Sequence, residues 1–272
     1  MSRTSFPVAG LAHLIGTARA PVVIDVRSDD DFAADPRLIP GSIRRDSHAI
    51  ADWRKEFHGR STVVICKNGL ALSQATAARL RNEGIDARHL AGGFEAWLAT
   101  DNLVTRGDLI PPDAEGRTVW VTRERPKVDR IACPWLIRRF IDPNAVFLFV
   151  AASEVAGVAQ RFNAVPFDIE GVYWSHRGET CTFDTMLVEF GLKSEALDRL
   201  AMIVRGADTA RLDLAPQASG FLAASLGLSQ LFDDDLAQLE AGMTLYDAMY
   251  LWCRDARGET HNWPSKTTGG TA

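Results

Sequence analysis

Two short apolar runs constrain this chain more than anything else in it. Val22-Val23-Ile24-Asp25-Val26 and Val63-Val64-Ile65-Cys66 are rich in β-branched residues and do not alternate with polar ones. A strand with this pattern is covered on both faces, the situation of a parallel sheet flanked by helices. After the second run, Ala75, Ala78 and Leu80 form the apolar face of a helix over 73–82, and Gly84 supplies its stop. Arg88-His89-Leu90 reads as a third, short strand, broken by Gly92-Gly93 before a helix that starts near Phe94. Residues 8–100 therefore predict an α/β domain with a small parallel sheet.

The pattern then changes. The stretch around Pro111-Pro112 has no apolar period and reads as a linker, set at residues 104–117. Beyond it, Thr118-Val119-Trp120-Val121-Thr122 and Val146-Phe147-Leu148-Phe149-Val150 are strands. Residues 128–141 are helical, with Pro134 either in the first turn or at a kink. From about residue 184 the chain is helical: 196–204, 220–228, 233–239 and 244–254. Tyr246, Met249, Tyr250 and Cys253 recur at helical spacing and belong to a core, as do Trp120 and Trp135. The second half is thus a mostly helical α+β domain.

A length of 272 residues suits two such domains, and 46% hydrophobic with 24% charged residues is ordinary for a globular protein. The net charge of −5 provides no general attraction to nucleic acid, and no helix-turn-helix is recognisable. Arg44-Arg45 and Arg138-Arg139 remain local sites for a small anion. No apolar run approaches the roughly 20 residues that span a bilayer. The N-terminus lacks the apolar core of a signal peptide, so a cytoplasmic location without membrane partners is expected. Homo-oligomerisation is left open. The four cysteines contain no Cys-x-x-Cys pair, which favours reactive, ligating or buried thiols over disulfides.

Cys66 carries the chemistry. It ends a strand and precedes a helix, where unpaired N–H groups and the positive end of the helix dipole favour a thiolate. The loop Lys67-Asn68-Gly69 can wrap an anionic sulfur with backbone N–H groups; Gly69 permits positive φ, and Lys67 adds a positive charge. Asp25 and Arg27, at the end of the neighbouring strand, are either substrate groups or a structural ion pair.

Ile24-Asp25-Val26-Arg27, Ile39-Pro40-Gly41-Ser42-Ile43, Cys66-x-x-Gly69 and Leu90-Ala91-Gly92-Gly93-Phe94-Glu95-Ala96-Trp97 occur in an order that resembles a rhodanese domain, over residues 7–103. The resemblance implies catalytic Cys66 carrying a persulfide from a small-molecule sulfur donor to a thiol acceptor, with no cofactor required. Asp25, Arg27, Lys67, Asn68, Gly69 and Ser73 are then the substrate-binding candidates. Active members commonly read Cys-x-x-Gly-x-Arg-Ser; here Ala71 takes the place of the arginine and Ser73 arrives later, which weakens recognition of thiosulfate.

Residues 118–264 resemble the C-terminal domain of the chromate-resistance ChrB family. The resemblance rests on Trp120-Val121-Thr122-Arg123, the run from Val128 to Asp142, His176-Arg177-Gly178, Cys181-Thr182-Phe183-Asp184, Arg205-Gly206-Ala207-Asp208 and His261-Asn262-Trp263-Pro264. It links the protein to chromate or sulfur stress. In this half His176, Cys181, Asp208 and His261 are candidates for a divalent metal. Alternatively they cap helices or are buried. Arg123, Arg130 and Arg138 are candidates for a bound oxyanion, against a solvated helix face with Asp129 in a local salt bridge. The expected function is rhodanese-type sulfur transfer. The alternatives are a non-enzymatic oxyanion sensor and a metal-binding enzyme centred on His176.

Overall fold

The computed structural model describes residues 4–106 and 109–259. The first half begins with β1 (Ser5–Phe6), α1 (Val8–Leu14), β2 (Val22–Asp25), α2 (Asp29–Ala34), β3 (Arg37–Leu38), β4 (Ser42–Arg44) and α3 (Ile50–Trp53). It continues with β5 (Thr62–Ile65), α4 (Ala71–Asn82), β6 (Ala87–Leu90), α5 (Gly93–Ala99) and β7 (Thr105–Arg106). Five strands form one sheet in the order β1-β6-β5-β2-β4, with every pairing parallel. The two apolar runs are its β2 and β5, and all four residues of each strand are buried, as double-sided covering requires. The C-terminal ends of β2, β4 and β5 therefore lie side by side, and the loops that follow them share one edge.

The second half contains β8 (Val119–Arg123), α6 (Val128–Leu136), β9 (Val146–Val150), α7 (Val155–Phe162), β10 (Val165–Pro166), α8 (Thr182–Phe190), α9 (Glu195–Asp208), α10 (Ala218–Leu231) and α11 (Asp235–Leu251). Its sheet, β10-β8-β9, is also parallel, and helices make up most of the rest. Pro134 lies inside α6, where it removes one N–H from the helical ladder, and the helix relaxes into a π-turn over Ile137–Ile141. The expected segments 233–239 and 244–254 are a single helix running through Gly242. A Cβ there would come within 2.6 Å of Ile131 Cγ2, so this glycine lets α11 approach α6 and does not end a helix.

The two halves share one core. Phe6, Leu11, Ile15 and Trp97 belong to the same buried cluster as Trp120, Trp135, Phe140 and Tyr250. The segment expected to be a linker is partly built in. Residues 105–106 pair antiparallel with 37–38, the Thr105 hydroxyl donates to the Phe190 carbonyl at 3.3 Å, and Ile110 packs on the common core. Among the described residues no helix is long and apolar enough to cross a membrane.

Candidate functional site

Cys66 follows β5 directly and is almost fully buried, with its sulfur 3.1 Å from the Ser73 hydroxyl and 3.9 Å from Asn68 Oδ1. No side chain caps the first turn of α4, so its N–H groups stay available to a ligand on the sulfur side. The loop is clamped from below. Phe94 N–H donates to the Cys66 carbonyl at 3.0 Å and Glu95 N–H to the Lys67 carbonyl at 2.9 Å. Gly69 (φ +70°) and Gly93 (φ +63°) meet backbone to backbone: a Cβ on Gly69 would be 2.6 Å from the Leu90 carbonyl, and one on Gly93 would strike the Cys66 carbonyl. The carbonyls are thus taken up by α5, which turns them away from the sulfur. Lys67 is half-exposed and 3.3 Å from Asp31.

Beside this loop, at the ends of β2 and β4, is a cavity of about 560 Å³ lined by Ser28, Arg44, Arg45, His48 and Leu72, with Asp29 and Asp46 at its wall. Arg44 stacks on Phe32 with its guanidinium carbon 3.9 Å from the ring centroid, and one of its buried nitrogens has no hydrogen-bond partner. Its other terminal nitrogen binds the exposed Asp29 at 2.8 Å.

A second cluster lies in the other half. His176 Nε2 is 3.2 Å from Asp208 Oδ2, 3.3 Å from Asp168 Oδ1 and 3.6 Å from Asp129 Oδ2. Asp129 comes from the first turn of α6, Asp208 from the last residue of α9, and Asp168 and His176 from the segment between β10 and α8. Hydrogen bonds to Asp168 and Asp208 push the His176 pKa up to about 10. Burial, then the nearby Asp208 and Asp168 charges, raise Asp129 well above the usual carboxylate range.

Residues 9–100 match the model of the rhodanese-like domain, and residues 120–253 match that of the ChrB C-terminal domain. The chain joins a rhodanese-like domain to a ChrB C-terminal domain. It is 36% identical over 199 residues to protein ChrB of Cupriavidus metallidurans, covering 71% of this chain and 58% of that protein, so it spans little more than half of that relative's length. It is 40% identical over 81 residues to the thiosulfate sulfurtransferase GlpE of Pseudomonas syringae pv. syringae, covering 29% of this chain and 74% of that one. A solved rhodanese-like domain protein from Staphylococcus aureus is 25% identical, covers 35% of this chain and 90% of its own, and superposes with a TM-score of 0.32.

In the rhodanese-like domain, Cys66, Asn68, Gly69 and Ser73 come together and Lys67 stands at the rim. Asp25 and Arg27 are engaged with each other, and Arg27 also lines the cavity beside the loop. They form a buried ion pair at 2.6 Å, and Arg27 donates further to the carbonyls of Asp35 (2.9 Å) and Arg37 (2.7 Å) while lying 4.0 Å over the Phe94 ring. These contacts tie the strand ends to α5.

In the ChrB C-terminal domain the expected arginine stripe is not assembled. Arg123 and Arg130 both approach Asp168, at 3.8 and 3.4 Å, whereas Arg138 lies past Pro134 in the π-turn and pairs with Glu240 at 2.5 Å. Cys181 does not join the His176 group as a donor, although its thiol also interacts with Asp129. It is the N-cap of α8, its thiol donates to Asp184 Oδ2 at 3.3 Å, and burial pushes its pKa up. His261 lies outside the described residues. Asp129, read as part of the arginine run, and Asp168, which no motif marks, are the residues that join His176 and Asp208. Their positions 39 apart in sequence leave no local spacing signal.

Proposed function

We propose that the protein is a sulfurtransferase that carries sulfane sulfur on Cys66. The observation that carries this reading is the Cys66 sulfur beside Ser73 at an uncapped helix start, in a loop whose carbonyls are held away by α5. In the first step the Cys66 thiolate attacks the outer sulfur of thiosulfate. A new S–S bond forms at Cys66, the old S–S bond breaks, and sulfite leaves with the electron pair. In the second step an acceptor thiolate attacks the outer persulfide sulfur and takes it, and Cys66 returns as a thiolate. The Ser73 hydroxyl and the first N–H groups of α4 stabilise the anionic outer sulfur. Arg44, Arg45 and His48 attract the anionic donor from the adjoining cavity, a task that Ala71 in the loop does not perform. Fusion to a ChrB C-terminal domain ties this chemistry to oxyanion stress, chromate foremost.

Mass spectrometry of the intact chain after treatment with thiosulfate or mercaptopyruvate tests the reading. One added sulfur atom is expected, removable by a thiol and absent from Cys66→Ser. No adduct with either donor would refute it.

A further inference from the structure

We propose that the ChrB C-terminal domain binds one divalent transition-metal ion through Asp129, Asp168, His176 and Asp208. Side chains from α6, from the segment before α8 and from the end of α9 converge on one point. One donor atom each of Asp129, His176 and Asp208 lies within 4.8 Å of the others, and Asp168 Oδ1 is 3.3 Å from His176 Nε2. These separations carry information. Metal–ligand bonds of about 2.0–2.2 Å place neighbouring donors about 2.8–3.6 Å apart in octahedral or tetrahedral geometry. The three distances from His176 Nε2, 3.2, 3.3 and 3.6 Å, fall in that range.

Hydrogen bonding alone does not account for the arrangement. An imidazole has a single proton to offer at Nε2, and here three carboxylate oxygens face that atom. Asp129 is fully buried, with Oδ2 turned toward His176 beside the other two carboxylates. The arginines stay outside the cluster: Arg123 and Arg130 approach the other oxygen of Asp168, Oδ2.

Groups outside the cluster hold the donors in position, as metal sites require. Thr182 N–H donates to Asp129 Oδ2 at 2.5 Å, the Thr182 hydroxyl to Asp168 Oδ1 at 2.8 Å, and Asp129 N–H to Asp208 Oδ1 at 3.3 Å. The donor set of one imidazole and three carboxylates, with the cysteine thiol turned to Asp184, suits Mn2+, Fe2+, Co2+ or Zn2+ over soft thiophilic ions. His176 is 41% exposed, so one side of the site is open for entry of the ion and for a water or small oxyanion ligand.

The test uses the full chain, freed of metal by a chelator and dialysed, then titrated with Mn2+, Co2+ and Zn2+ by calorimetry, with the visible spectrum of Co2+ as a second readout. One site is expected. His176→Ala and Asp208→Asn each weaken binding by at least about 100-fold, since even outer-shell changes cost 10–100-fold. Circular dichroism confirms that the variants are folded, and Asp208→Asn preserves side-chain shape should His176→Ala fail to fold. Absence of binding for all three ions, or unchanged affinity in both folded variants, overturns the proposal.

Discussion

The contact between Gly69 and Gly93 allows a quantitative test of how the Cys66 loop is held. Gly93→Ala introduces two costs. Holding an L-residue at φ +63° costs about 1–2 kcal/mol. The new Cβ also collides with backbone atoms of Gly69, Cys66 and Lys67, and these cannot give way as a flexible side chain would. Relieving the collision lifts the loop and breaks the hydrogen bonds from Phe94 and Glu95, about 1 kcal/mol each. The expected total is roughly 3–4 kcal/mol. Gly84→Ala is the matched control, because its φ of +79° is equally left-handed while a Cβ there meets nothing within 4 Å. It should cost only about 1–2 kcal/mol. The difference of about 2 kcal/mol isolates the close approach, and urea midpoints followed by circular dichroism and tryptophan fluorescence together measure it. Sulfur loading of Cys66 should fall sharply in Gly93→Ala and stay native in Gly84→Ala. Equal midpoints for the two variants, or native loading in Gly93→Ala, would refute the clamp.

Arg27→Ala leaves Asp25 buried without its partner and should cost about 3–5 kcal/mol in the same urea assay; a loss below 1 kcal/mol would contradict the structural role assigned to the pair. Arg44→Ala removes a charge-assisted contact to the donor and should raise the thiosulfate KM about tenfold or more, with little change in stability; an unchanged KM removes the cavity from donor recognition. With chelator present, rising pH should destabilise the chain. The folded-state pKa of His176 is raised from 6.5 to about 10, so its stabilising contribution is complete below pH 6.5 and is lost as the pH rises through 10. The raised pKa of Asp129 acts in the same direction, since its proton also favours the folded state. Thermal melts from pH 6 to 10 should therefore fall with pH, less steeply in His176→Gln; an identical slope in that variant would exclude His176 as the titrating group.

Strand and helix patterns are local, and they were legible. The buried runs that became β2 and β5 declare themselves in any window of five residues, and the order of strand, Cys66, glycine loop and helix follows from residues within 20 positions of one another. Where local pattern leaves alternatives open, the deciding information is not local. Gly242 looks like an interruption until α6 is placed against it. Asp25 and Arg27 sit where substrate groups belong, but the carbonyls of Asp35 and Arg37 and the Phe94 ring, which decide their role, reach them only through folding.

Sequence by itself determined that this chain holds a sheet covered on both faces, with a thiol at its C-terminal edge, followed by a helical second half. Only tertiary structure decided that the halves share one core, that Asp25 and Arg27 form a buried ion pair, and that Asp129, Asp168 and Asp208 each approach His176. The reason is physical. Backbone preference and hydrophobic period act over a few residues, whereas charges and donors are placed by the packing of elements far apart in sequence, 79 residues from Asp129 to Asp208 and 108 from Arg139 to Asp247.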